Sequence, residues 1–280
     1  MRLLGGGNIL LCLTLLIGEA QSWTSTLDMS ENSFDDQYEG CAQDMEEEVT
    51  SRLLQQEKLR DREFATTWDS ATRRWRRMRV IVPEGFREEY GVAIMVYSNY
   101  DRDVYKSFNK AVRDYSPTFP YHSLHFYLTR GLGLLGARCR TVYRGLTGVT
   151  FTAPTMGEHV RLGHFSSSST NRTKAEEFGE DVLFTISSCY GVSIKDFSYY
   201  PEQEEVLVPV DEIFQVTNFT TGPDGQRFTL RAAKKRCHYY NCEYLQRGGR
   251  SNTCVASGGL RIQWFPALTF LLCFLVVTSS

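Results

Sequence analysis

Gly131-Leu132-Gly133-Leu134-Leu135-Gly136 decides the fold class, because its glycines have the spacing of a dinucleotide-binding turn. Such a turn follows a strand, opens a helix, and is answered by an acidic residue about 20 positions later. Here the glycines close a helical pattern running from Tyr121 to Leu135 and lead into a strand-rich segment that begins at Cys139. Met156, not an acid, lies 20 residues beyond Gly136. The alternating β-α-β sheet that such a turn would announce is therefore excluded.

Upstream of the glycines the texture is helical. Met45, Val49 and Leu53, then Phe64, Trp68, Ala71 and Trp75, recur at three- and four-residue steps and form an apolar stripe. Pro83-Glu84-Gly85 interrupts the pattern, and Val92 to Tyr97 is a short apolar run that periodicity assigns to neither helix nor strand. Downstream, Thr141–Tyr143, Val182–Ile186, Glu205–Val210, Phe214–Thr217 and Arg227–Leu230 are short β-rich runs separated by Gly, Pro, Ser and Asn. Helices first and strands later imply an α+β domain. The helical part spans about 41–135 and the β-rich part about 139–245 of a single domain at 21–257.

The two ends read as processing signals. Arg2, the apolar Ile9–Ile17 and the small-residue site Gly18-Glu19-Ala20 form a secretory leader over residues 1–20. Trp264–Val277 is apolar and is followed only by Thr278, Ser279 and Ser280, the pattern of a glycolipid (GPI) attachment signal at 258–280. Spacer length points to attachment at Ser251 or Asn252; the run of small residues points to Ser257-Gly258-Gly259. A short membrane span is the alternative. Six of the eight cysteines lie between these ends: Cys41, Cys139, Cys189, Cys237, Cys242 and Cys254. An even number in an exported chain implies disulfides. Attachment before Cys254 would leave one unpaired, which favours the downstream site. Cys237, His238 and Cys242 lack the tight spacing that zinc prefers, so no metal is expected. A net charge of −2 argues against nucleic acid as partner. The basic run Arg73-Arg74-Trp75-Arg76-Arg77-Met78-Arg79 reads as a solvated helix face, and Asn171-Arg172-Thr173 and Asn218-Phe219-Thr220 are glycosylation sequons.

Three features of the β-rich half carry chemistry. Tyr143-Arg144-Gly145 ends a strand with a guanidinium able to fork onto phosphate, beside a glycine that admits a ligand to the backbone. Phe165-Ser166-Ser167-Ser168-Ser169 offers hydroxyls that can orient a carboxylate, and no Gly-x-Ser-x-Gly elbow marks a hydrolase nucleophile. Glu202-Gln203-Glu204-Glu205 masses acids before the apolar Val206-Leu207-Val208, where a carboxylate can stabilise an oxocarbenium-like transition state. Singly, these read as an ion pair, a polar loop and a solvated acidic turn.

In this order the features resemble the vertebrate GPI-anchored ecto-ADP-ribosyltransferases, arginine-specific mono-ADP-ribosyltransferases related to clostridial toxins. The resemblance runs from Phe34-Asp35-Asp36-Gln37-Tyr38-Glu39-Gly40-Cys41 through Ala93-Ile94-Met95-Val96-Tyr97 to Tyr240-Asn241-Cys242-Glu243-Tyr244. It implies two antiparallel sheets forming a cleft, with NAD⁺ as substrate, no resident cofactor or metal, and a protein acceptor. It assigns Arg144 to the NAD phosphates, with Tyr143 and the Gly145 backbone beside the nicotinamide. Ser167 would orient the catalytic carboxylate, Phe178 would pack near the nicotinamide, and Glu205 would be the catalytic glutamate. The resemblance also pairs Cys41 with Cys242 and Cys139 with Cys189, leaving Cys237 and Cys254 for a third bridge. Arginine-specific members have Glu where this chain has Gln203, the acceptor-positioning residue; that leaves nicotinamide cleavage in place and opens the choice between transfer and hydrolysis. A surface antigen that keeps the fold without activity is the rival, and the presence of both Arg144 and Glu205 speaks against it.

Overall fold

The structure is a computed structural model in which residues 23–257 are described. The leader at 1–20 and the attachment signal at 258–280 lie outside the described residues. After a short strand, β1 (Trp23–Ser25), the helical part begins with α1 (Ala42–Glu48), which passes through a π-helical turn (Val49–Leu53) into α2 (Leu54–Arg60). It continues through α3 (Arg62–Trp75), α4 (Glu88–Tyr97), α5 (Asp103–Arg113) and α6 (His122–Leu135). The undecided run Val92–Tyr97 is thus the core of α4. Every residue from Tyr90 to Tyr97 is buried, so the helix has no polar face and no period to read. Asp61 starts α3 by accepting from the amides of Glu63 and Phe64, each at 2.9 Å. Gly131 and Gly133 lie inside α6, and Gly136, with φ +76°, follows its last residue.

The β-rich part runs β2 (Arg140–Leu146), β3 (Val149–Phe151), β4 (His159–Val160), β5 (Ser166–Ser169), α7 (Arg172–Glu176), β6 (Val182–Ser188), β7 (Val192–Ser193), β8 (Glu205–Val208), β9 (Glu212–Gly222), β10 (Gly225–Asn241) and β11 (Gly249–Ala256). The α+β order stands. The expected pair of antiparallel sheets takes a more connected form, a nine-stranded path β4-β9-β10-β6-β2-β5-β8-β7 with β11 on β10, and a separate parallel pair β1-β3. The path is nearly two sheets, since β2 and β5 meet at the single pair Tyr143↔Ser169. It is not wholly antiparallel, because β6 and β10 run parallel from Val182↔Gln226 to Ser187↔Arg231.

Strand β8 explains how one core becomes two. All four of its residues are buried, and alternation sends them to opposite faces. Val206 and Val208 join the sheet core with Val142, Phe184, Phe214 and Phe228. Leu207 joins the helical core with Phe108, Tyr97 and Phe165. Glu205, two residues before Leu207, therefore faces the helical layer.

Three disulfides join Cys41 to Cys242, Cys139 to Cys189 and Cys237 to Cys254. Cys237 and Cys242 are therefore not free to ligate a metal. The Phe34–Cys41 segment is also tied to the end of β10 by carboxylates. Asp35 accepts from the amides of Tyr239 and Tyr240 and pairs with the fully buried Arg161 at 2.5 Å. Asp36 accepts from the amides of Tyr38, Cys242 and Glu243. Both sequon asparagines are exposed, Asn171 capping α7 through Thr173 N and Asn218 within β9.

Candidate active site

Tyr143, Arg144, Gly145, Ser167, Phe178, Gln203 and Glu205 line one cavity of about 310 Å³. They converge by strand register. Strand β5 pairs antiparallel with β8 so that Ser167 stands opposite Leu207 and Ser169 opposite Glu205, and Tyr143↔Ser169 brings β2 alongside. Gln203 ends a 3₁₀ turn, Pro201–Gln203, and Glu204 follows in the left-handed region at φ 49°. The turn is fastened from β5: Ser169 Oγ donates to the Gln203 carbonyl at 2.7 Å, and Thr170 Oγ1 to Glu204 Oε2 at 2.8 Å. That fixes Gln203 at the cavity and turns Glu204 away into a contact of its own.

Glu205 is 2% exposed. Tyr100 Oη donates to its Oε2 at 3.2 Å, and Ser198 Oγ lies 3.5 Å from the same oxygen. Its Oε1 is buried with no partner among the described residues. Burial pushes the carboxyl up to about 7, while the Ser167, Tyr100 and Ser198 hydroxyls and the Arg144 charge work the other way. A carboxylate that is half-titrated near neutrality and has one unsatisfied oxygen is equipped to accept a hydroxyl proton in a hydrogen bond and to face a developing positive charge. Ser167 Oγ itself lies 3.5 Å from the buried Tyr97 hydroxyl.

Arg144 donates from Nη1 to the Ser167 carbonyl at 2.5 Å and from Nη2 toward His164 Nε2 at 3.4 Å. No salt bridge joins its fork to a carboxylate among the described residues, although its charge acts on Glu205 across the shared cavity. Gly145 is glycine for a packing reason. A Cβ there would stand 2.2 Å from the Ala175 carbonyl oxygen and 2.3 Å from that of Gly179, so any side chain would drive α7 and the loop after it off the strand. That loop carries Phe178, 46% exposed at the rim with its ring edge-on to Tyr100. Gln203 Oε1 is buried without a partner among the described residues.

Three residues near these atoms escaped the sequence reading. Tyr100, in the α4–α5 connection, donates to Glu205 and stacks on Tyr200 at 4.9 Å. Arg113 and His164 stand beside Arg144. A signal existed for the helix holding Arg113, since Val104, Phe108 and Val112 recur every fourth residue along α5. Nothing marked Tyr100, which sits in an aperiodic Asn99-Tyr100-Asp101 connection.

Comparison with known proteins places these features among relatives. The sequence pattern of the NAD:arginine ADP-ribosyltransferases matches residues 27–238. Ecto-ADP-ribosyltransferase 5 of Bos taurus is 37% identical over 235 residues, 78% of this chain and 74% of that protein. GPI-linked NAD(P)(+)--arginine ADP-ribosyltransferase 1 of Mus musculus is 38% identical over 282 residues, 92% of this chain and 86% of that protein. The crystal structure of the eukaryotic mono-ADP-ribosyltransferase ART2.2 matches at TM-score 0.69 and 37% identity, covering 79% of this chain and 99% of that one. Mutants of that ART2.2 have been solved in complex with NADH and with NAD.

Proposed function

The chain belongs to the NAD:arginine ADP-ribosyltransferase family and is an enzyme of that family, and from that premise we propose that it cleaves the nicotinamide–ribose bond of NAD⁺ and passes the ADP-ribose largely to water. The observation that carries this reading is the pairing at the cavity of a buried, half-free Glu205 with a neutral Gln203. Glu205 Oε1 would accept from the ribose 2′-hydroxyl and stabilise the oxocarbenium as nicotinamide leaves. Arg144 would hold the phosphates, Ser167 would help orient Glu205, and Phe178 with Tyr143 and Gly145 would enclose the nicotinamide.

Capture of the oxocarbenium is a separate matter. An arginine acceptor arrives protonated, with a pKa above about 12, and is a poor nucleophile until a base relieves it. Gln203 Oε1 can accept a guanidinium N–H but carries no charge and takes no proton at neutral pH. Water needs less help and should win in the unmutated protein. The test measures nicotinamide release and ADP-ribosyl-agmatine formation from NAD⁺ side by side. Gln203→Glu is expected to raise transfer to agmatine at least about tenfold, about 1.4 kcal/mol in relative barrier, with total nicotinamide release changing much less. Efficient agmatine modification by the unmutated protein, with no gain on substitution, would make the chain an ordinary arginine transferase. Absence of any nicotinamide release would favour the silent-antigen rival.

The surface tether belongs to the same proposal. Relatives carry the names ecto- and GPI-linked, and the ends of the chain have the form of a leader and an attachment signal over a domain at 21–257. Ser251 and Asn252 lie within β11, and Cys254 of that strand is bridged to Cys237. Attachment at either residue would discard half of a disulfide, so Ser257 is the site we favour. Acceptor proteins would then be other surface or secreted chains, and release of the protein from intact cells by phosphatidylinositol-specific phospholipase C checks the anchor.

A further inference from the structure

The basic run that closes α3 is solvated, as its sequence implies, but its arginines are not equally occupied. Five arginines and a single acid, Glu84, lie between Arg73 and Gly85, in a chain whose net charge is −2. Arg76 is spent on Glu88, donating to its Oε1 at 2.8 and 3.0 Å. Arg74 donates to the Tyr199 carbonyl at 3.1 Å, with its guanidinium 4.4 Å over the Tyr199 ring. Arg73, Arg77 and Arg79 are exposed, and none has a side-chain hydrogen bond or ion pair among the described residues. The loop that follows carries an apolar tip, with Ile81 97% exposed beside Val82. Folding accounts for part of this. Cations are favoured in the last turn of a helix, which covers Arg73 and Arg74. That field fades within a turn and does not reach Arg79, and nothing in it calls for isoleucine at a loop tip. Crowding further like charges beside the helix end costs stability.

The position of the patch gives it a direction. Trp75, within the basic run, stacks on Phe197 at 5.9 Å, and Arg74 rests on Tyr199. The next carbonyl along, that of Tyr200, accepts from the Gln203 amide at 3.0 Å and starts the turn that carries Gln203 to the cavity. We propose that Arg73, Arg77 and Arg79, with Ile81, form a docking surface for an acidic segment of the acceptor protein. That segment presents carboxylates to the guanidiniums and an apolar side chain to the loop tip. The proposal rests on the reading of Gln203 as the residue that faces the acceptor. Arginine forks match carboxylates, and Ile81 gives a protein chain a contact that a sulfated glycan would not use. The surface also supplies what Gln203 lacks. A neutral amide pairs weakly with a guanidinium, so an acceptor held only at the cavity loses to water. An acceptor held at a second point meets the oxocarbenium at raised effective concentration. A small guanidine such as agmatine has no such hold.

The probe is a fluorescent peptide of one arginine, a glycine-serine spacer and four glutamates around a leucine; its control has glutamine for every glutamate. By anisotropy the full chain should bind the glutamate peptide about tenfold tighter than the control at low salt, as three exposed ion pairs would give. In about 1 M salt that preference should vanish. The triple variant Arg73→Glu, Arg77→Glu, Arg79→Glu should lose it at any salt, and Ile81→Ser should weaken the glutamate peptide about threefold. Transfer of ADP-ribose to the peptide's arginine should follow the same order. Nicotinamide release from NAD⁺ alone should match wild type within about twofold in both variants, because none of these residues lines the cavity. Should the triple variant fail to fold, Arg77→Gln with Arg79→Gln takes its place and should cost about threefold. Equal affinity of wild type for the two peptides, or a preference that survives the arginine substitutions, overturns the proposal. So does binding without the same order in transfer. Tighter binding of a heparin hexasaccharide than of the glutamate peptide, with Ile81→Ser unchanged, would make the patch a glycan site and overturn it too. A wild type that shows the glutamate preference yet releases no nicotinamide would leave the docking surface standing and overturn the enzyme reading instead.

Discussion

The helical half and the strand-rich half each bury a glutamate whose carboxyl burial pushes up to about 7, Glu57 in α2 and Glu205 in β8. By proton affinity the two are indistinguishable, and Glu212 in β9 joins them at about 7. Hydrogen-bond accounting separates them. Glu57 spends one oxygen on the His122 amide at 2.8 Å and the other on the Ser123 amide at 3.1 Å, closing the start of α6. Glu212 accepts from the Ser188 hydroxyl and the Cys189 amide on different oxygens. Glu205 takes the Tyr100 and Ser198 hydroxyls on Oε2, while its buried Oε1 accepts no hydrogen bond within bonding distance among the described residues. A perturbed carboxyl is thus no mark of function by itself; a perturbed carboxyl with an unspent oxygen facing a cavity is.

Glu205→Gln should break the comparison most sharply. It keeps the shape and deletes the charge that the proposed function sets against the oxocarbenium, so nicotinamide release should fall about 10²–10³-fold by analogy with removing one preorganised electrostatic partner. Its stability effect should run the other way. The folded carboxyl holds its proton up to about 7 against an ordinary 4.5, so below 4.5 both states are neutral and no cost exists. Between 4.5 and 7 the unfolded chain ionises while the folded carboxyl keeps its proton, so the cost grows to ~3 kcal/mol and is fully present above 7, where the folded state buries the charge; Gln does not incur it. The variant should therefore melt above wild type at pH 8 and level with it near pH 4.5. Turnover within a few-fold of wild type would remove Glu205 from the chemistry.

Glu57→Ala is the matching cut in the helical half. It strands two buried amides at the head of α6, which should cost about 1–3 kcal/mol, with turnover per folded molecule unchanged within a few-fold. A variant as dead as Glu205→Gln at full stability would show that the two carboxylates do not divide as their hydrogen bonds indicate.

The contrast also marks what the sequence could carry. Arg144, Ser167, Gln203 and Glu205 were singled out by the family resemblance, since each alone had a plainer reading, and the strand pairings bring all four to one cavity. Alternation along β8 put Glu205 and Leu207 on one face and Val206 on the other. The parallel β6–β10 pairing was not legible, since it depends on which distant strands meet and not on any local pattern. Helix α4 hid because a helix buried on all sides has no stripe. Tyr100 hid for a related reason: it reaches Glu205 across 105 residues of chain from a connection whose local sequence says only that it is polar.

Tyr100 supplies the smallest of these tests. Its hydroxyl donates to Glu205 Oε2, and a donor to a carboxylate favours the ionised form. Tyr100→Phe removes that donor without removing the ring that stacks on Tyr200 at 4.9 Å and meets Phe178 edge-on at 5.5 Å. With the donor gone, burial acts on Glu205 with less opposition, and its carboxyl should rise further above 7. In the proposed role Glu205 acts ionised, so kcat/KM for nicotinamide release should fall on the acid side with a midpoint near 7 in wild type. In Tyr100→Phe that limb should move to higher pH. At pH 9, where Glu205 is ionised in both proteins, the gap should narrow, because the loss at neutral pH, of roughly tenfold for one hydrogen bond to a charged group, is largely a loss of ionised enzyme. A pH-independent drop would show instead that Tyr100 contacts the reacting sugar and not the carboxylate, and an unchanged profile would show that Glu205 is held by Ser167 and Ser198 alone.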